Sequence, residues 1–135
     1  MQETASDRTP PPQRGARLSR HADYQRVYQD SRKYFSASMT YFFRLRGEEV
    51  AMSGPRVGLT AGRVLGKAVE RNRIKRRMRE AVRRNLTTLP SNVDVVLHPR
   101  KSVLVMDFLQ LQGEVGKVFA AVESSLRKIS GEAKA

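Results

Sequence analysis

The run Ala68–Asn85, reading AVERNRIKRRMREAVRRN, carries a helical apolar seam and the densest positive charge in the chain, and it limits the fold more than any other segment. At about 100° per residue, Ile74, Met78, Ala81, Val82 and Leu86 fall on one side, spaced i, i+4, i+7, i+8 and i+12. A helix so patterned must pack that side on a second layer. Roughly opposite lie Asn72, Arg76, Arg79 and Arg83, flanked by Arg73, Arg77 and Arg84. The cations therefore ride on a folded body and form a rigid ridge.

From Arg63 to Arg84 there are ten Lys or Arg against Glu70 and Glu80, in a chain of net charge +13 and pI near 11.0. A face that merely meets water mixes its signs. One with so few acids repels itself, a cost that a bound polyanion offsets, with steep salt dependence as counterions are released. Nucleic acid is the expected partner, ahead of an anionic membrane. Arg71, Asn72 and Arg73 fan over three directions at the start of the helix. Guanidinium forks beside an amide suit a folded RNA that offers more than one strand, although this geometry alone does not separate RNA from DNA.

A length of 135 residues suits one domain. Residues 1–16, with Pro10, Pro11 and Pro12, are too polar to offset ordering entropy and read as a disordered extension. The domain spans 17–129, and 130–135 read as a disordered tail. Ser19 is the expected N-cap of a first helix with Tyr24, Val27 and Tyr28 on one face, ending near Asp30 and Ser31. Tyr34 to Arg46 alternates as one strand, with Met39, Tyr41, Phe43 and Leu45 on one face and Thr40, Phe42 and Arg44 on the other. Gly47 to Pro55 reads as a loop before a second strand, Arg56 to Ala61, so the two strands are expected to form a hairpin. After the basic helix, Val93 to Leu97 is too short for a helix and reads as a strand. Asp107 then caps a last helix whose stripe is Phe108, Leu111, Val115, Val118, Phe119, Val122 and Leu126. The order gives an α+β sandwich, a small sheet with helices packed on it.

Catalytic signals are sparse. The absence of Cys excludes disulfides and thiolate metal sites, and His21 and His98 stand without a paired carboxylate or nucleophile. Asp23, Asp30, Asp94 and Asp107 read as caps or solvated charges rather than a two-metal site. Gly62-Arg63-Val64-Leu65-Gly66-Lys67-Ala68 lacks both the spacing and the hydroxyl of a nucleotide-binding P-loop, which argues against NTPase activity. Its amides, with Lys67, are instead expected to hold a phosphate. Tyr24, Tyr28, Tyr34, Phe35, Tyr41, Phe42 and Phe43 crowd one third of the chain; some fill the core, and others are a candidate platform for unstacked bases beside Arg44 and Arg46. No apolar run approaches the ~20 residues of a membrane span and no secretory-type leader is present, so a cytoplasmic protein without membrane partners is expected.

The block Arg56-Val57-Gly58-Leu59, Gly66-Lys67-Ala68-Val69 and Arg71-Asn72-Arg73-Ile74-Lys75-Arg76 resembles the signature of the bacterial ribonuclease P protein subunit. Weaker likeness runs through Asp23-Tyr24-Gln25-Arg26-Val27-Tyr28 and through Asp94-Val95-Val96-Leu97 with Pro99-Arg100. The resemblance implies an α-β-β-β-α-β-α domain with a four-stranded sheet and a left-handed β-α-β crossover, against the usual hand, of the ribosomal protein S5 domain 2-like kind. It implies a non-catalytic subunit, one per RNA, that assists a magnesium-dependent catalytic RNA in cutting the 5′ leader from precursor tRNA. Magnesium would be held mainly by the RNA and substrate. Expected contacts to the catalytic RNA are Lys67, Arg71, Asn72, Arg73, Lys75, Arg76, Arg79 and Arg83; those to the leader are Tyr24, Tyr28, Arg44 and Arg63. Gly62-Arg63-Val64 stands where the family often has Ser-Lys-Lys, and His98 replaces a residue that is often small. The alternatives are a ribosomal or other structural-RNA binder without enzymatic role, and a DNA-binding regulator. The latter would need a short helix before the basic one, where this chain has strand-like sequence.

Overall fold

The computed structural model describes residues 17–46 and 54–134, with the backbone alone from 129 onward. Its elements are α1 (His21–Asp30), β1 (Tyr34–Phe35), β2 (Met39–Leu45), β3 (Arg56–Leu59), α2 (Ala68–Asn85), β4 (Val93–Pro99) and α3 (Phe108–Lys134). Short 3-10 turns lie at Arg63–Leu65, Leu86–Thr88 and Lys101–Leu104. This is the α-β-β-β-α-β-α order that the family resemblance implies. The expected extension 1–16 and most of the Gly47–Pro55 loop fall outside the described residues.

The sheet order is β1-β2-β4-β3. β4 runs antiparallel to β2, from Met39 opposite Pro99 to Leu45 opposite Val93, and parallel to β3, from Arg56 opposite Asp94 to Leu59 opposite Leu97. The expected hairpin between β2 and β3 therefore does not form, because β4 inserts between them. The physical reason lies in β4 itself. Val93 through Leu97 are buried on both faces, so this strand gains most at the sheet's centre, with helices above and below.

The expected single strand Tyr34–Arg46 is broken in two. Ser36 donates its N–H to Met39 O at 2.8 Å and its hydroxyl to the same carbonyl at 3.0 Å, which turns the chain so that Tyr34 lies opposite Tyr41. Serine favours such a turn because its hydroxyl satisfies the local backbone. The N-cap of α1 is Arg20, not Ser19, and no side chain caps it. What fixes this end is the preceding residue pair: Leu18 donates its N–H to Val57 O at 3.1 Å, and its side chain is buried with Val27 and Val96. At the other terminus α3 runs to Lys134, past Ser130 where a tail was expected. Glu132, Ala133 and Lys134 are good helix formers, and each added residue gains one backbone hydrogen bond.

The two sheet faces carry different cores. On one, Met39, Tyr41, Phe43, Val95 and Leu97 meet Ile74 and Met78 of α2 and Leu111, Val115 and Phe119 of α3. On the other, α1 covers the sheet through Val27, with Leu18, Tyr24, Tyr28 and Phe42 packed around it. Asp107 accepts the N–H of Leu109 at 3.1 Å and of Gln110 at 3.4 Å, the expected cap of α3. Arg77 of α2 donates to Val103 O at 3.0 Å and to Met106 O, so this cation braces the Lys101–Leu104 turn.

Candidate nucleic-acid interface

With Ile74, Met78 and Ala81 buried, α2 exposes Asn72, Arg73, Arg76 and Arg79, while Arg71, Lys75 and Arg83 are partly covered. Lys67 and Arg63 are exposed just before the helix. Among the described residues no carboxylate pairs with Lys67, Arg71, Arg73, Lys75, Arg76 or Arg79. The C-terminal half differs. Glu80 accepts from Arg83 Nε at 3.2 Å and from Arg84 Nε at 2.8 Å, and pairs with Arg83 Nη2 as well. Hydrogen bonds from Arg83 and then Arg84 hold the Glu80 carboxyl below its usual range. Arg84 also sits 5.2 Å over the Phe108 ring. Uncompensated charge is therefore gathered on the first three turns of the ridge, and Arg83, expected among the RNA contacts, stands beside them already engaged. The i, i+3 and i, i+4 spacing from Glu80 carries that distinction in the sequence itself.

The glycine loop before α2 also departs from expectation. Lys67 N–H donates to Glu70 Oε1 at 3.0 Å, so a side chain of the helix already fills this amide. Gly66 makes that possible: its φ is +123°, and a Cβ there would collide with the Glu70 carboxylate. The Lys67 ammonium, not its amide, remains for a phosphate.

On the opposite face of the sheet, Tyr24 and Tyr28 pack from α1 around Val27, Leu18 and Val96. The Tyr24 hydroxyl donates to Leu18 O at 3.2 Å and lies 3.5 Å from Leu59 O, with the hydroxyl end of its ring close against Gly58. Burial pushes its phenol pKa up. Arg17 and Arg79 both act on this phenol electrostatically. Burial, then the charge of Arg17, lowers the Arg79 guanidinium from its ordinary value. Arg79 thus links the ridge to Tyr24 on α1. Arg17 escaped the sequence reading, although Leu18 beside it, apolar and just ahead of a helix start, was a usable signal.

The remaining leader candidates are less convergent. Arg44 lies 2.9 Å from Asp30 at the end of α1. Arg63 is exposed on the turn between β3 and α2. Of the aromatics, Tyr41 and Phe43 are core, the first stacked on Tyr34 and the second tilted against it. Phe42 and Tyr28 pack edge-on at 5.0 Å beside His98. Phe35 is 65% exposed, with the Lys33 ammonium 5.9 Å from its ring.

Asp94, expected to be a cap or solvated, is buried in an ion network instead. It accepts from Arg46 at 2.6 Å and from Arg56 at 2.8 and 2.9 Å, since β4 lies at the sheet's centre rather than at its rim. Asp23 joins the network through Arg56 at 3.5 Å and Arg26 at 3.1 Å. Among the described residues no cluster of three or more His, Cys, Asp or Glu is placed to hold a metal ion, and no helix is long and apolar enough to cross a membrane.

Fold and surface together define a nucleic-acid-binding α+β protein, with cations displayed on one helix and an aromatic cluster on the other face of the sheet. The family model described as Ribonuclease P matches residues 13–123. The ribonuclease P protein component of Chloroflexus aggregans is 41% identical over 103 residues, covering 76% of this chain and 73% of that protein. That of Desulforapulum autotrophicum is 34% identical over 113 residues, covering 81% and 90%. The solved ribonuclease P protein from Thermotoga maritima aligns at TM-score 0.67 and 28% identity, covering 78% of this chain and 96% of that one. The chain belongs to the ribonuclease P protein family, the protein subunits of the tRNA-processing ribonuclease.

Proposed function

We propose that this chain binds the catalytic RNA of ribonuclease P through the first three turns of α2, and the 5′ leader of precursor tRNA through the groove between α1 and the sheet. The observation that carries this reading is the segregation of charge. Lys67, Arg71, Arg73, Lys75, Arg76 and Arg79 have no acidic partner among the described residues, whereas Arg83 and Arg84 share Glu80. A polyanion relieves the mutual repulsion of the first group and gains least from the second. Asn72 adds a donor and an acceptor between two guanidinium forks. Tyr24 and Tyr28 line the path of single-stranded nucleotides, where rings and base edges do the recognising.

In this reading the protein supplies charge and position, as one copy per RNA in the cytoplasm, and the RNA performs the cleavage. Among the described residues the two buried carboxylates, Asp23 and Asp94, are held by Arg26, Arg46 and Arg56. Such arginine-bound oxygens do not fit a divalent cation, so the required magnesium is assigned to the catalytic RNA and the substrate. A structural-RNA binder without enzymatic role is disfavoured by the family to which the chain belongs.

The test is cleavage of a leader-bearing precursor tRNA by the same organism's catalytic RNA at low magnesium, with and without the protein. Protein-dependent cleavage, weakened by Arg73→Ala with Arg76→Ala, is the expected result. If the RNA is active alone at high magnesium and the protein changes nothing at low magnesium, the proposal fails.

A further inference from the structure

Tyr28, Phe42 and His98 come from α1, β2 and β4 and close on one another in the groove, all three half-buried. Tyr28 Oη lies 2.9 Å from His98 Nε2. The His98 ring stands edge-on to Tyr28, centroids 5.8 Å apart, and 5.3 Å from Phe42. Among the described residues His98 meets no carboxylate, and the charge that acts on it is the Lys33 ammonium. Burial first, and Lys33 second, lower its pKa from the ordinary 6.5, so the ring is neutral at pH 7. A neutral imidazole has one donor nitrogen and one acceptor. The phenol is the stronger donor of the pair and gives its proton to Nε2, which leaves the ring hydrogen on Nδ1. That nitrogen has no hydrogen-bond partner among the described residues and is not occluded.

The geometry points to His98 as a specificity-determining residue: clamped by Tyr28, it presents Nδ1–H as one uncharged donor to an acceptor on the edge of an unpaired leader nucleobase. This rests on the assignment of the groove to the leader. Phosphates are gripped by cations and carry no sequence information, whereas unstacked bases are read by hydrogen bonds at their edges beside aromatic rings. A neutral, directional donor between Tyr28 and Phe42 is suited to the second task and poorly suited to the first. The clamp matters because it fixes both the tautomer and the ring orientation, so that only one polarity of base edge is rewarded.

The experiment uses the reconstituted holoenzyme and precursor tRNAs that differ at single leader positions, with leaderless tRNA and an abasic leader nucleotide as further arms. Wild-type protein is expected to favour one base at one position by about fivefold in kcat/KM, the scale of one neutral hydrogen bond, and to lose that preference when the base is removed. His98→Gln keeps a group within reach of Tyr28 but carries its amide donors away from the place of Nδ1. It should flatten the preference while binding catalytic RNA and leaderless tRNA as wild type does. His98→Asn, which keeps a donor near the place of Nδ1, should retain most of it. Equal preference in wild type and His98→Gln, or a wild-type protein indifferent to leader sequence, overturns the inference while leaving the leader assignment intact. A protein that adds nothing for leader-bearing over leaderless tRNA overturns both.

Discussion

Arg56 joins Asp23 of α1 to Asp94 of β4, reaching the first at 3.5 Å and the second at 2.8 Å, so the groove helix is tied by charge to the centre of the sheet. Asp94 is the hub. Its side chain is 1% exposed and it also receives Arg46, itself fully buried, which donates to the carbonyls of Val93, Ser91 and Gly54. Removing the charge of a buried, paired carboxylate strands its partners, so Asp94→Asn is expected to cost roughly 3–5 kcal/mol. Urea unfolding checks it: the midpoint should fall with the slope unchanged. A midpoint within experimental error of wild type would mean that the network contributes nothing net.

The division of charge along α2 makes an opposite-signed prediction for two sites. Arg73→Ala with Arg76→Ala removes cations that no carboxylate offsets among the described residues, and should lower the slope of log affinity against log salt by about two. Glu80→Gln frees Arg83 and Arg84 from their shared carboxylate, and should tighten RNA binding and steepen the same slope. Filter binding across a salt series measures both. Weaker binding by Glu80→Gln would show that the acid serves the helix rather than masking it.

Tyr24 lies so close to Gly58 that a Cβ there would sit 2.6 Å from its hydroxyl and 2.7 Å from the ring carbon that bears it. Gly58→Ala must lift the ring or shift α1, and overpacking of this kind costs about 1–3 kcal/mol. Tyr24→Phe removes only the hydroxyl, with its contacts to Leu18 O and Leu59 O, and should cost about 1 kcal/mol. If the two act through one contact, Gly58→Ala in the Tyr24→Ala background should be nearly free, a coupling that a double-mutant cycle reads directly.

What the sequence disclosed followed from what periodicity can encode. The bounds of α2 and the stripes of α2 and α3 were legible because a buried helix face repeats every three or four residues, and Ile74, Met78 and Ala81 do so among arginines. Strand order was not: alternation in β2 reports which face is buried, never which strand lies beside it. Only the apolar run of β4, covered on both sides, hinted that it belonged at the centre. The ridge was legible as charge, but the roles of single cations were not. Arg77 and Arg79 are two residues apart on one helix. The first braces backbone carbonyls and the second faces solvent near Tyr24, a difference set by tertiary contacts across 26 residues of sequence for Arg77.

His98 gives the chain a pH dependence of calculable sign. Its folded pKa lies below the ordinary 6.5, so between those values the unfolded chain binds more protons than the folded one. Stability is therefore complete above pH 6.5 and is lost as pH falls from there through the folded value. Glu80 is lowered as well, but from 4.5, so its contribution is lost in a separate window, from about pH 4.5 downward. Unfolding midpoints measured from pH 8 to 5 should thus decline below 6.5 in the wild type. In His98→Gln, which has no group titrating there, the curve should be flatter over the same interval and rejoin the wild-type fall only where carboxylates begin to protonate. An unchanged slope in that variant would assign the decline to a group other than His98, and would remove the reason to treat the His98 ring as neutral in the groove.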